Sequence, residues 1–363
     1  MTDATNPASL LAQGVDLERA GAWQEAFDFY LTAQDQAPGD ARFSMRRCGA
    51  AIRLSDPTAA AQALMAARAI DAQGPLAEKL DQLEERIAQL RVTQDRILGV
   101  QAFEAGDFAT AAHHLDALAA AVPDHPWAHA KARIAAGLAP GFAQRLQAEQ
   151  PHVSARVFLS GCGRSGTWLL MAMLQGIEGM QTAPGEQPFG AFLDLPNDEA
   201  VHLVKRQHNA YLHFDKIPQG VKVIHVIRHP FDVLMSAHRG TAHHITLDRL
   251  EGEHSAYFQH LADRPDTCVV RFEDMVHTPD AVQSRIEAFL GVKSSRRFED
   301  FYKHADLGDE IVEAMHGLRP LDKTSLHRWR GDREAEGFLR QQVANSTGVL
   351  TRFAQAFDYE LDL

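Results

Sequence analysis

Small residues crowd around one arginine in the stretch Gly161-Cys162-Gly163-Arg164-Ser165-Gly166-Thr167. An apolar run (Ala155, Val157, Phe158, Leu159) precedes it, and an apolar segment of helical length opens at Thr167, the pattern of a strand, a tight loop and a helix N-terminus. Such a turn leaves backbone N–H groups unpaired, with the positive end of the helix dipole behind them and Arg164 beside them, which is the chemistry of a phosphate site. The nucleoside-triphosphate loop places a lysine directly before its Ser/Thr. Here Gly166 stands at that place, and the cation lies two residues earlier, at Arg164. A second anion site follows VKVIHVI, where Arg228 comes directly after the apolar run and Pro230 pre-sets the first turn of a helix. Ser236, eight residues after Arg228, is expected on that helix, so that a guanidinium fork and a hydroxyl converge on one anion. Two anion sites at two strand ends describe a ligand phosphorylated at both ends.

The elements that must position these residues are short β-rich runs alternating with helices: ARVFLS, AVHLVKR, VKVIHVI and TCVVRF, the last followed by a helix through Val282, Ile286, Phe289 and Leu290. The alternation predicts an α/β domain with a central parallel sheet, whose ligands sit beyond the carboxyl ends of the strands. The preceding part reads differently. Gly14, Gly21, Ala26, Tyr30, Ala33 and Pro38 fall at the offsets of a tetratricopeptide repeat, a fainter copy begins at Gly49 with Asp56 and Pro57 marking its turn, and a third copy runs through Gly99, Gly106, Phe108, Ala111 and Pro123. A separate helix at Leu76 to Leu90 is expected between the second and third. The organisation is thus an all-α tetratricopeptide-like solenoid over 1–140, a linker at 141–153 where AGLAPG breaks the periodicity, and the α/β domain over 154–363. The solenoid is expected to offer a partner-binding or homodimerising surface, or to cover the second domain.

RSGT after a strand, then Arg228, Pro230, Asp232 and Ser236 after a later one, resembles the sulfotransferases that use 3′-phosphoadenosine 5′-phosphosulfate (PAPS). VVRFEDMVHTPDAVQSRIEAFLGV is similar to that family's YED segment and the helix after it, and KTSLHRWRGD to its late basic segment. The resemblance covers roughly residues 154 to 345 and implies a P-loop-like fold. It implies that Arg164 neutralises charge at the oxygen bridging phosphate and sulfate, while Gly163, Ser165, Gly166 and Thr167 cradle the 5′-phosphate. Arg228 and Ser236 would hold the 3′-phosphate, helped by Ser325, Arg328 or Arg330, with Trp329 flanking the adenine or packing. Trp168 replaces a common Thr and Phe272 a common Tyr. For the base that takes the acceptor's proton, the family pattern offers Glu186 in PGEQPF, which is favoured, or His208 in LVKRQHN, with Lys205 assisting at the sulfate. The acceptor itself, a hydroxyl on a small molecule, lipid, glycan or peptide, is not legible in the sequence.

A net charge of -12 over 363 residues argues against nucleic acid or an anionic membrane as partner, since both want basic surface. The N-terminus lacks a basic, apolar leader and no run reaches the length of a membrane span, so a cytoplasmic chain is expected. Cys48, Cys162 and Cys268 are read as reduced thiols. His243, His244, His254 and His260 crowd one region without metal-ligand spacing, and no metal is expected. Two other readings stand beside the transferase: a P-loop kinase or NTPase, disfavoured by the missing lysine and by the lack of an apolar run ending in a Mg²⁺-binding Asp, and a non-catalytic interaction protein.

Overall fold

Residues 6–237 and 244–363 are described in the structure, a computed structural model. The chain divides into two compact units, Met1–His129 and Ala130–Leu363. The first is helical: α1 (Pro7–Arg19), α2 (Trp23–Gln36), α3 (Ala41–Arg53), α4 (Pro57–Asp71), α5 (Ala77–Glu104) and α6 (Phe108–Ala121), each packed on the next. Asn6, Asp40, Asp56 and Asp107 cap four of these helices by accepting from first-turn N–H groups, each worth about 1 kcal/mol. A Cβ on Gly14 would lie 2.2 Å from the Tyr30 ring and one on Gly99 2.8 Å from Leu115. Both glycines therefore permit a close helix crossing. Gly49 differs, because a Cβ there meets nothing within 4 Å. The second hairpin turns without glycine: Ser55 takes the left-handed φ of 58°, Asp56 caps and Pro57 starts α4. The helix expected at Leu76–Leu90 is not separate. It continues without a breaker into the 28-residue α5, whose Leu80, Leu83 and Ile87 pack against Cys48, Ala51, Ala63 and Leu64.

The helix α7 (Pro126–Leu138) contains the division between units, and the residues expected as linker hold α8 (Phe142–Glu149), whose Phe142 and Leu146 are buried one turn apart. Five parallel strands follow: β1 (Ala155–Gly161), β2 (Met180–Thr182), β3 (Val201–Lys205), β4 (Val221–Ile227) and β5 (Thr267–Arg271), in the order β2-β3-β1-β4-β5. The edge strand β2 is only three residues long and has no alternation by which a sequence pattern would reveal it. β1 and β4 are buried almost throughout, as strands covered on both faces must be.

The remaining helices are α9 (Thr167–Leu174), α10 (Pro230–Leu234), α11 (Leu247–His260), α12 (Phe272–His277), α13 (Pro279–Leu290), α14 (Asp309–Ala314), α15 (Arg333–Asn345) and α16 (Val349–Ala356). Apolar on all sides, α9 sits in a core with Leu159, Val226, Val270 and Ile286. After β1 the chain forms β2 and β3 on one side of it and then crosses to β4 and β5 on the other, so the crevice of the topological switch lies at the end of β1. Among the described residues, no helix is long and apolar enough to cross a membrane.

Candidate functional site

The loop after β1 is held in a shape few residues adopt. Arg164 has φ 69° and Gly166 φ 95°, and a Cβ on Gly166 would meet the Phe272 ring at 2.3 Å. Glycine is needed there on both counts. Ser165 is buried and donates its hydroxyl to the Cys162 carbonyl at 2.7 Å, so it braces the loop from within. Gly163, Arg164, Gly166, Thr167 and Trp168 instead line a cleft of about 470 Å³, with the first turn of α9 behind them.

The arginine expected at a second anion site comes to the same cleft. Arg228 follows β4 and lines the cleft, and its Nη1 donates to the Arg164 carbonyl at 3.1 Å. Arg164 Nε donates to Ser236 Oγ at 3.0 Å. The short α10 ends at Leu234, so Ser236 lies just past the helix rather than on it. Burial, and then the neighbouring Arg228, lower the pKa of Arg164. Burial also lowers Arg228, against the pull of Asp232 and Glu273, and Arg228 stacks over the Phe272 ring at 4.3 Å.

Two carboxylates act on Arg228: Asp232, which belongs to the motif after VKVIHVI, and Glu273, in the FED segment. Asp232 lies 3.9 Å from Arg228 Nε and accepts the His327 N–H at 3.0 Å, tying the late segment to this loop. Glu273, buried, accepts the His229 N–H at 2.9 Å and the Tyr359 hydroxyl at 2.8 Å.

The late segment is only partly at the cleft. Arg328 reaches Asp322, a cleft residue, at 3.3 Å, and its charge weighs on Arg228. Trp329 is buried against Phe231 and His229, not in the cleft lining, because its ring fills the core beside α10. Arg330 stacks on Trp329 and turns toward Glu360 at 3.9 Å. The side chain of Ser325 lies outside the described residues, as does His243.

Both candidate bases line the cleft. Glu186 pairs with Lys205 Nζ at 2.5 Å, and Lys205 Nζ sits 3.8 Å from the centre of the Trp168 ring. Trp168 thus supplies a cation–π wall against Lys205. Lys205 is 1% exposed, and burial pulls its pKa down to about 8 despite Glu186. For Glu186, burial raises the pKa but is outweighed by Lys205, Arg206 and His208, which leave it below the usual carboxylate range. His208 is exposed, with Arg249 Nη1 at 2.7 Å from Nε2, and burial plus the charges of Arg249 and Arg206 lower its pKa. Behind it, Glu253 pairs with Arg249 at 3.2 Å and with Arg206 at 4.0 Å. Arg206 and Arg249 line the cleft and were not singled out from the sequence, because no motif marks them. His254, from the histidine-rich region, is buried and stacked on Phe353 at 3.5 Å.

No family model and no curated protein matches the chain. Among solved structures it is similar to the sulfotransferase domain of the Synechococcus PCC 7002 olefin synthase, at 17% identity and a TM-score of 0.43 over 58% of this chain and 97% of that one. It is also similar to the sulfotransferase domain from the curacin biosynthetic pathway, at 15% and 0.41 over 58% of this chain and 100% of that one. A mouse sulfotransferase complexed with PAP follows, at 13% and 0.35 over 58% of this chain and 94% of that one.

Proposed function

We propose that the chain is a sulfotransferase that moves a sulfuryl group from PAPS to an acceptor hydroxyl. The observation that carries this is the convergence of two guanidinium groups from two strand ends, Arg164 and Arg228, joined through the Arg164 carbonyl at a glycine loop and helix N-terminus, with Ser236 accepting from Arg164. The residues fit a ligand with two separated phosphates. Arg228 Nε is buried without a hydrogen-bond partner among the described residues, and the glycine loop lines the cleft at the first turn of α9. Gly163, Gly166 and Thr167 with Arg164 would hold the 5′ end and Arg228 the 3′-phosphate, while Phe272 and Val276 supply apolar lining beside them.

When bound, PAPS supplies the sulfuryl group: the acceptor oxygen forms the new O–S bond, and the bond from sulfur to the bridging oxygen breaks, its electron pair remaining on the bisphosphate. Arg164 stabilises the charge gathering on that oxygen. Glu186 takes the acceptor proton, and Lys205 holds Glu186 ionised and in place. The helical unit is read as a surface for a protein partner or a second copy.

The test is a thermal shift titration with adenosine 3′,5′-bisphosphate and, separately, with ATP plus Mg²⁺. Stabilisation by the bisphosphate without metal is expected, by about 2.7 kcal/mol at a hundredfold excess over Kd. Stabilisation by ATP–Mg²⁺ alone would overturn the reading in favour of a P-loop kinase or NTPase.

A further inference from the structure

In the sheet, β1 is flanked by β4 on one side and β3 on the other. A bisphosphorylated donor whose ends lie at the β1 loop and at Arg228 after β4 leaves the end of β3 for the acceptor. That end carries Lys205 and Arg206, and α11 faces it with Arg249 and Glu253. Arg206 is 3% exposed and lines the cleft, and its Nε has no hydrogen-bond partner among the described residues. Its carboxylate partner, Glu253, is 4.0 Å away and is held closer by Arg249, at 3.2 Å. The other carboxylate, Glu186, is taken by Lys205 at 2.5 Å. Three cations thus face two carboxylates, before Arg164 is counted. An uncharged acceptor that displaced water from this corner would bury the surplus positive charge without relief, which is costly.

We propose that the acceptor is an anionic alcohol or phenol. Its hydroxyl approaches Glu186, while an oxyanion on the same molecule (carboxylate, sulfate or phosphate) seats against Arg206 and Arg249 in the bidentate manner that guanidinium groups favour. The proposal rests on the sulfuryl-transfer reading of the site.

The experiment titrates matched phenols, 4-hydroxybenzoate, 4-hydroxybenzenesulfonate, 4-hydroxyphenyl phosphate and the uncharged 4-hydroxybenzamide, into the full chain with and without saturating adenosine 3′,5′-bisphosphate. Binding is followed by ligand-observed NMR. At least one anion is expected to bind about 10-fold more tightly than the amide, and the preference should shrink as salt is raised. The rank among the three anions identifies which oxyanion the corner takes. Arg249→Gln should abolish the preference, and Arg206→Lys, which keeps the buried charge but loses the planar fork, should lower it if Arg249→Gln unfolds. Equal binding of amide and all three anions, or a preference that survives both variants, overturns the proposal. Failure of the bisphosphate itself to bind instead removes the sulfuryl-transfer reading, and the nucleotide-free titration still decides whether the corner takes anions.

Discussion

The two halves of the cleft are built in different ways. The half assigned to the donor is made by backbone: a loop with two left-handed residues, a helix start, and Arg228 directly after its strand. The half assigned to the acceptor is made by ion pairs between elements distant in the chain, Glu186 with Lys205, and Arg206 and Arg249 with Glu253. Backbone geometry is insensitive to protonation, and the donor half holds guanidinium groups that stay charged across the working range. The acceptor half contains a lysine whose pKa burial pulls down to about 8. The difference separates a fixed anion cradle from a corner whose charge depends on solution conditions.

The largest effect should come from the acceptor half. Glu186→Gln is expected to lower sulfate transfer by about 10²–10⁴-fold, whereas His208→Gln changes it far less, as read by labelled-sulfate transfer at saturating donor. The reverse ranking would move the base to His208. In the donor half, Arg164→Ala should cost about 10²–10³-fold in kcat, with adenosine 3′,5′-bisphosphate still binding through Arg228. A complete loss of nucleotide binding in that variant would show that the two phosphate contacts are not separable.

A smaller effect sharpens the contrast through pH. Because folding depresses Lys205 to about 8 from its ordinary 10.5, transfer should fall as the pH rises through about 8. Lys205→Arg should remove that limb. Stability should move the other way. Between those two values the unfolded chain holds the extra proton, so this residue's contribution makes the fold more stable as pH climbs. Rate and melting temperature measured across pH 7 to 10 should therefore diverge in the parent protein and not in Lys205→Arg.

The donor half was legible because its chemistry is local. Glycines, one arginine and a hydroxyl at short spacing describe a strand-loop-helix turn, and the structure forms that turn at Gly161 to Thr167. Spacing did not reveal that the Ser165 hydroxyl is occupied by the Cys162 carbonyl, or that Trp329 is a core residue, since both depend on which way a side chain faces. Arg206 and Arg249 were invisible for a further reason: they are forty-three residues apart and are brought together through Glu253. In the helical unit the close-crossing glycines Gly14 and Gly99 were readable, while Gly49 matched the spacing without the packing that gives it meaning. A fixed repeat length predicts a break after Leu90, whereas α5 runs on because no Gly or Pro stands between Leu90 and Gly99.

Glu273 holds the backbone N–H of His229 with one oxygen and the Tyr359 hydroxyl with the other, and His229 Nε2 meets the Glu360 carbonyl at 2.9 Å. The peptide that presents Arg228 is therefore fastened to the last residues of the chain at two points. In hydrogen-exchange terms, release of the tail frees the second oxygen of the carboxylate that holds the His229 amide, so the protection of that amide reports on how firmly Glu273 is anchored. The residues at 359 and 360 thus brace the loop that carries Arg228 from the side away from the cleft lining.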